Sequence, residues 1–220
     1  MTAIKPPFFL RWFSPQYLVC DLPTTEKKIY LTFDDGPIPE ATPEILEILD
    51  QYNVKATFFM VGDNVRKHPG VYQHIIQQGH GTGNHTFHHL NGWKTTPGSY
   101  LEDVSRCSEL VKSPLFRPPY GCFTPSQYFL LRKEFRFILW SVLSYDFHSH
   151  TSPEQCLLNT IDNTGNGSVV VFHDSIKAIE KARYALPRFL EHFLSLGFNF
   201  GFLDSQINVP FHKLPSSAKL

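Results

Sequence analysis

Two carboxylates stand side by side in Leu31-Thr32-Phe33-Asp34-Asp35-Gly36-Pro37, where a β-rich run meets a Gly-Pro turn. A strand points neighbouring side chains to opposite faces, so the pair can serve two separate tasks at one place. Further on, Asn84-His85-Thr86-Phe87-His88-His89 sets His85 and His89 four positions apart. If that stretch is helical, both imidazoles share one face, a spacing that many metal sites use. His88 offers a second, less favoured pairing with His85. Arg117 precedes a stiff Pro118-Pro119 turn into Tyr120-Gly121, Asp146 follows the apolar run FILWSV, and the run VVVF enters His173-Asp174.

Each feature has an ordinary alternative. Asp-Asp-Gly-Pro forms turns, paired histidines sit on surfaces, and a lone arginine or strand-end histidine serves structure. What favours chemistry is recurrence, because successive strand ends almost all carry a polar candidate.

The elements that must position these groups alternate along the chain. Strands are expected over 28–33, 56–61, 115–117, 137–142, 169–172 and 198–203. Helices are expected from Thr42-Pro43 onward, where Thr42 reads as an N-cap, and over 69–78, 100–112, 125–134, 153–163 and 178–196. Gly79 and Gly197 close two of them. Repeated βα units imply a parallel sheet with helices outside, either doubly wound or barrelled, and a barrel gathers its functional groups at the C-terminal strand ends. The domain is expected over 28–208, with an arm over 1–27 packing on it and a tail over 209–220.

Composition narrows the partners. Twenty basic and twenty acidic residues among 220 cancel, which gives no electrostatic ground for binding nucleic acid. The four cysteines form no C-x-x-C pair and read as free thiols. No apolar run near the N-terminus has the length of a signal peptide or a membrane span, so a cytoplasmic location is the default expectation. No G-x-S-x-G elbow is present, and Gly79, Gly81 and Gly83 lack the G-x-G-x-x-G spacing. Oligomeric state is not legible.

The ordered set TFDDGP, HTFHH, RPPYG and VVFHD closely resembles the polysaccharide deacetylases with a NodB homology domain, carbohydrate esterase family 4. The resemblance covers about 28–203. It implies a distorted, incomplete (β/α) barrel of about seven βα units. It also implies a divalent metal, commonly zinc with cobalt, nickel or manganese as alternatives, held by Asp35, His85 and His89. By the same pattern Asp34 is the general base, Arg117 holds it, the Tyr120 N–H faces the oxyanion, and His173 is the general acid. The implied reaction is hydrolysis of N-acetyl groups on an amino sugar or glycan. Deformylation or O-deacetylation of a sugar and a non-catalytic sugar-binding module are the alternatives.

Two departures stand out. The family's Asp-x-x-Asp-Trp reads Leu143-Ser144-Tyr145-Asp146-Phe147 here, and Gly81 stands where relatives more often have a glutamate. The two acids of that motif normally steer the arginine and the histidine, so Asp146 is left with both tasks or with one.

Overall fold

The computed structural model describes residues 18–203 apart from Pro23. Of the arm expected over 1–27, residues 1–17 and Pro23 lie outside the described residues, as does the whole tail expected over 209–220. In chain order the strands are β1 (Leu18–Val19), β2 (Lys28–Asp34), β3 (Thr57–Met60), β4 (Gly81–Asn84), β5 (Leu115–Phe116), β6 (Arg136–Ile138), β7 (Val142–Leu143), β8 (Val169–His173) and β9 (Asn199–Gly201). The helices are α1 (Thr42–Gln51), α2 (Gly62–Lys67), α3 (Pro69–Gln77), α4 (Pro97–Leu110), α5 (Pro125–Leu131), α6 (Pro153–Ile161) and α7 (Ile179–Ser195). All the strands join one parallel sheet in the order β1-β6-β5-β4-β3-β2-β8-β7, with β9 beside the start of β2. The sheet curls into the incomplete barrel that the sequence motifs imply.

Period-two alternation sorts the strand residues. On β2, Ile29, Leu31 and Phe33 pack with Ile45 and Leu46 of α1 and Leu186 and Phe189 of α7 in the main core. Phe33 stacks on Phe58 at 5.0 Å between ring centroids, and such a fully buried side chain contributes about 1.5–3 kcal/mol. The alternate positions, Thr32 and Asp34, turn to the barrel interior, where Arg117 reaches both. On β8 the same rule sends Val170 and Phe172 into the main core, leaving His173 on the other face. The polar groups thus face inward because their apolar neighbours face out.

Several elements differ from the sequence reading. The strand expected over 137–142 is two, β6 and β7, which pair at different parts of the sheet. Between them the Leu139 N–H bonds to Val19 O, and the Ser141 N–H bonds to Val169 O, so the chain crosses from the β1 side to the β8 side. Strand β4 reads as loop in the sequence because it is Gly-Thr-Gly-Asn. Its Gly83 is needed for close approach, since a Cβ there would lie 2.4 Å from the Phe59 ring. Leu18–Val19, inside the expected arm, pairs with β6.

Thr42 is the first helical residue of α1 rather than its cap, which is Ala41. The 85–89 segment is irregular rather than helical. All four cysteines are buried. No helix among the described residues is long and apolar enough to cross a membrane.

Candidate active site

The C-terminal ends of β2, β4, β5 and β8 converge on one cavity of about 790 Å³. Its lining includes Asp34, Asp35, His85, His89, Tyr120 and His173. Asp34 is buried at the last position of β2, and its Oδ1 accepts from Arg117 Nη1 at 2.6 Å. Asp35 then takes a φ of 85°, and its carbonyl accepts from Asn64 Nδ2 at 2.8 Å. This turn is what separates the two adjacent carboxylates into different surroundings.

Asp35 faces the histidines. Its Oδ1 lies 3.2 Å from His89 Nε2 and 3.9 Å from His85 Nε2. One ligand atom from each of Asp35, His85 and His89 falls within 4.8 Å of the others. Burial acts to raise the Asp35 pKa, but the hydrogen bond from His89 and the nearby imidazoles outweigh it and hold the carboxyl below its usual range. His85 Nδ1 lies 2.7 Å from the Arg117 carbonyl, which can only accept, so Nδ1 carries the proton and Nε2 presents its lone pair to the group. Burial lowers its pKa to about 4, which keeps the ring neutral, as a ligand must be. One carboxylate and two imidazoles form a donor set that fits zinc and neighbouring divalent metals and leaves positions open.

A loop, not a helix, brings the two histidines together. Thr86 and His89 have φ values of 62° and 56°, and Asn84 Oδ1 accepts the Thr86 N–H at 2.8 Å. His88 points elsewhere, its Nδ1 on the buried carboxylate of Asp103. The His85/His88 pairing is thereby set aside in favour of His85/His89.

Arg117 is wholly buried, and its donors are distributed widely. Beyond Asp34 it donates to Thr32 Oγ1 at 2.8 Å, Ile138 O at 3.0 Å and Leu139 O at 2.9 Å, with its guanidinium over the Phe59 ring at 4.1 Å. Those two carbonyls lie where β6 gives way to β7. The interruption between the two strands therefore supplies the acceptors. Asp146 carries one of the two tasks left open by Leu143. Its Oδ1 meets His173 Nδ1 at 2.7 Å and its Oδ2 accepts the His173 N–H at 2.7 Å. Burial opposes charge on His173, but Asp146, with Asp35 and Asp34, raises its pKa to about 9. Tyr120 sits in the turn after Arg117 at a φ of 60°, and that turn's own hydrogen bonds use the N–H groups of Gly121 and Cys122.

Thr32, Asn64, Asp103 and Asp174 support the site through contacts that no sequence motif assigns to them. Thr32 was findable from alternation along β2. The others depend on contacts between distant segments.

A family model described as polysaccharide deacetylase matches residues 21–133. A peptidoglycan-N-acetylglucosamine deacetylase of Bacillus cereus is 36% identical over 160 residues, covering 70% of this chain and 58% of that protein's length. A second protein of that description from the same organism is 33% identical over 193 residues, covering 84% of this chain and 90% of that one. Among solved structures, a peptidoglycan N-acetylglucosamine deacetylase in complex with 4-naphthalen-1-yl-N-oxidanyl-benzamide superposes with a TM-score of 0.84 at 30% identity. That match covers 90% of this chain and 95% of the other.

Proposed function

This chain belongs to the polysaccharide deacetylase family, and we propose that it hydrolyses N-acetyl groups from N-acetylglucosamine units of a glycan. One observation carries the reading: the Asp34–Arg117 pair and the His173–Asp146 pair flank the converging Asp35, His85 and His89 in one cavity. Asp35, His85 and His89 would hold a divalent metal, zinc by the donor set, with cobalt, nickel or manganese as alternatives. When bound, such an ion supplies Lewis acidity to a water molecule and to the acetyl carbonyl.

The chain's own residues handle the protons. Asp34 Oδ1 is committed to Arg117, so Oδ2 takes the proton as water adds to the acetyl carbon. The backbone N–H of Tyr120 faces the developing oxyanion, where a fixed donor stabilises charge without reorganisation. His173 keeps its Nδ1 on Asp146, which leaves Nε2 to deliver a proton to the sugar nitrogen as the C–N bond breaks. An amine leaves poorly without that proton, so an acid with a pKa near 9 suits an amide better than an ester. Acetate and the free amine are the products.

The test is acetate release from N-acetylglucosamine oligomers, run beside N-formyl and O-acetyl sugars, with metal analysis of the same protein. Turnover of the N-acetyl substrate that disappears with chelation supports the reading. Preference for the O-acetyl sugar, or unchanged activity in Asp34→Asn, overturns it.

A further inference from the structure

Two buried carboxyl groups take no part in this chemistry and do not line the cavity, yet each fastens one of the two loops that carry Asp35, His85 and His89. Asp174, 1% exposed, follows His173 at the end of β8. Its Oδ1 accepts the Gly36 N–H at 2.9 Å, and its Oδ2 accepts the Thr42 hydroxyl at 2.6 Å. The same hydroxyl accepts the Ile38 N–H at 2.8 Å. The turn after Asp35 therefore hangs from one carboxylate at two points. The fit is close, since a Cβ on Gly36 would lie 1.9 Å from Asp174 Oδ2.

Asp103, 6% exposed on α4, does the same for the other loop. Its Oδ2 accepts the N–H groups of Phe87 and His88 at 2.8 Å and 2.9 Å, and its Oδ1 meets His88 Nδ1. Those residues are the middle of the span from His85 to His89. Both loops hold left-handed backbone at non-glycine residues, Asp35 in one and Thr86 and His89 in the other. Such conformations persist only where the surroundings over-determine them. A buried carboxylate that accepts backbone N–H groups supplies that constraint in a form an apolar side chain cannot.

We infer that Asp174 and Asp103 are positioning residues of the metal site, Asp174 presetting Asp35 and Asp103 presetting His89. The inference rests on the metal reading above. Without either carboxylate the ligand loop must be ordered by the ion itself, which weakens binding. Partners that orient metal ligands from behind typically account for about 10–100-fold in affinity.

The test titrates zinc into the full chain and into Asp174→Ala, Asp174→Asn, Asp103→Ala and Asp103→Asn, each checked for native circular dichroism and a cooperative melt. The alanine variants are expected to bind zinc about 10–100-fold more weakly, with asparagine, which keeps an acceptor oxygen, recovering part of the loss. Should an alanine variant fail to fold, the asparagine variants and Thr42→Val, which removes the bridge to Ile38, carry the measurement. Folded variants that bind zinc within about twofold of the parent would reduce both residues to general stabilisers and overturn the inference. A parent chain that takes up no divalent metal sinks the metal reading, and the inference falls with it.

Discussion

The two groups proposed to handle protons are held in opposite ways. His173, the proposed acid, is gripped twice by the buried carboxylate of Asp146. On the side of Asp34, the proposed base, Arg117 has a single carboxylate partner among the described residues, Asp34 itself, and its other donors go to Thr32 and two backbone carbonyls. The family pattern leads one to expect a further acid at position 143, where this chain has leucine. The difference teaches how charge is apportioned. An imidazole must be given an anion to stay protonated in a buried place, whereas a guanidinium stays charged and needs only its donors satisfied. Carbonyls released between β6 and β7 do that without a second buried anion competing with Asp34 for the cation. Each side is thus left with one cation and one anion.

The strongest way to break the comparison is at its reacting atoms. Asp34→Asn is expected to lower kcat by about 10²–10⁴-fold while zinc uptake persists, since the variant removes the proposed base and leaves Asp35, His85 and His89 in place. A loss confined to KM would show that Asp34 binds rather than reacts. Next comes Arg117→Met, which strands the buried Asp34 charge and is expected to destabilise the fold by about 3–5 kcal/mol in urea denaturation. A loss well under 1 kcal/mol would mean that Asp34 finds another partner or water.

On the acid side the readout is pH. His173 titrates near 9, so kcat/KM is expected to fall as pH rises through that value. Asp146→Asn removes the main group that raises this pKa, so the alkaline limb should move to lower pH. An unmoved limb would assign it to another group. The sign for stability follows the same shift: the folded pKa lies above the ordinary 6.5, so the contribution is complete below about pH 6.5 and is lost as pH rises through about 9. The smallest effect is expected from Leu143→Asp, which restores the acid of the family pattern at the cavity wall while the donors of Arg117 are already taken up. Its kcat/KM should stay within about tenfold of the parent, and a larger gain would show the base side to be under-supported as it stands.

Much of the site is legible because its motifs are local. Asp34 and Asp35 share one turn, His85 and His89 one loop, and Arg117 and Tyr120 one Pro-Pro corner. The parallel sheet is legible too, since apolar strand runs alternate with helix patterns. What escaped the sequence is what depends on distant backbone. Strand β4 hides behind two glycines that only distant neighbours explain, the Phe59 ring at Gly83 and the Leu203 carbonyl at Gly81. The pair β6 and β7 reads as one apolar run, because no local residue type marks where a strand changes neighbours. Asp103 lies 15 residues from His88, and Asp174 lies 138 from Gly36.

By itself, then, the sequence determined which groups are available: Asp34, His173, Arg117, and Asp35 with two histidines, each near a strand end. The tertiary structure alone decided how those groups are supported. It put His89 rather than His88 beside Asp35, gave Asp146 to the histidine and not to the arginine, and handed Arg117 the carbonyls of Ile138 and Leu139. The physical reason is that side-chain chemistry is carried by residue type. A backbone carbonyl is present at every residue and becomes an acceptor only where the fold leaves it unpaired.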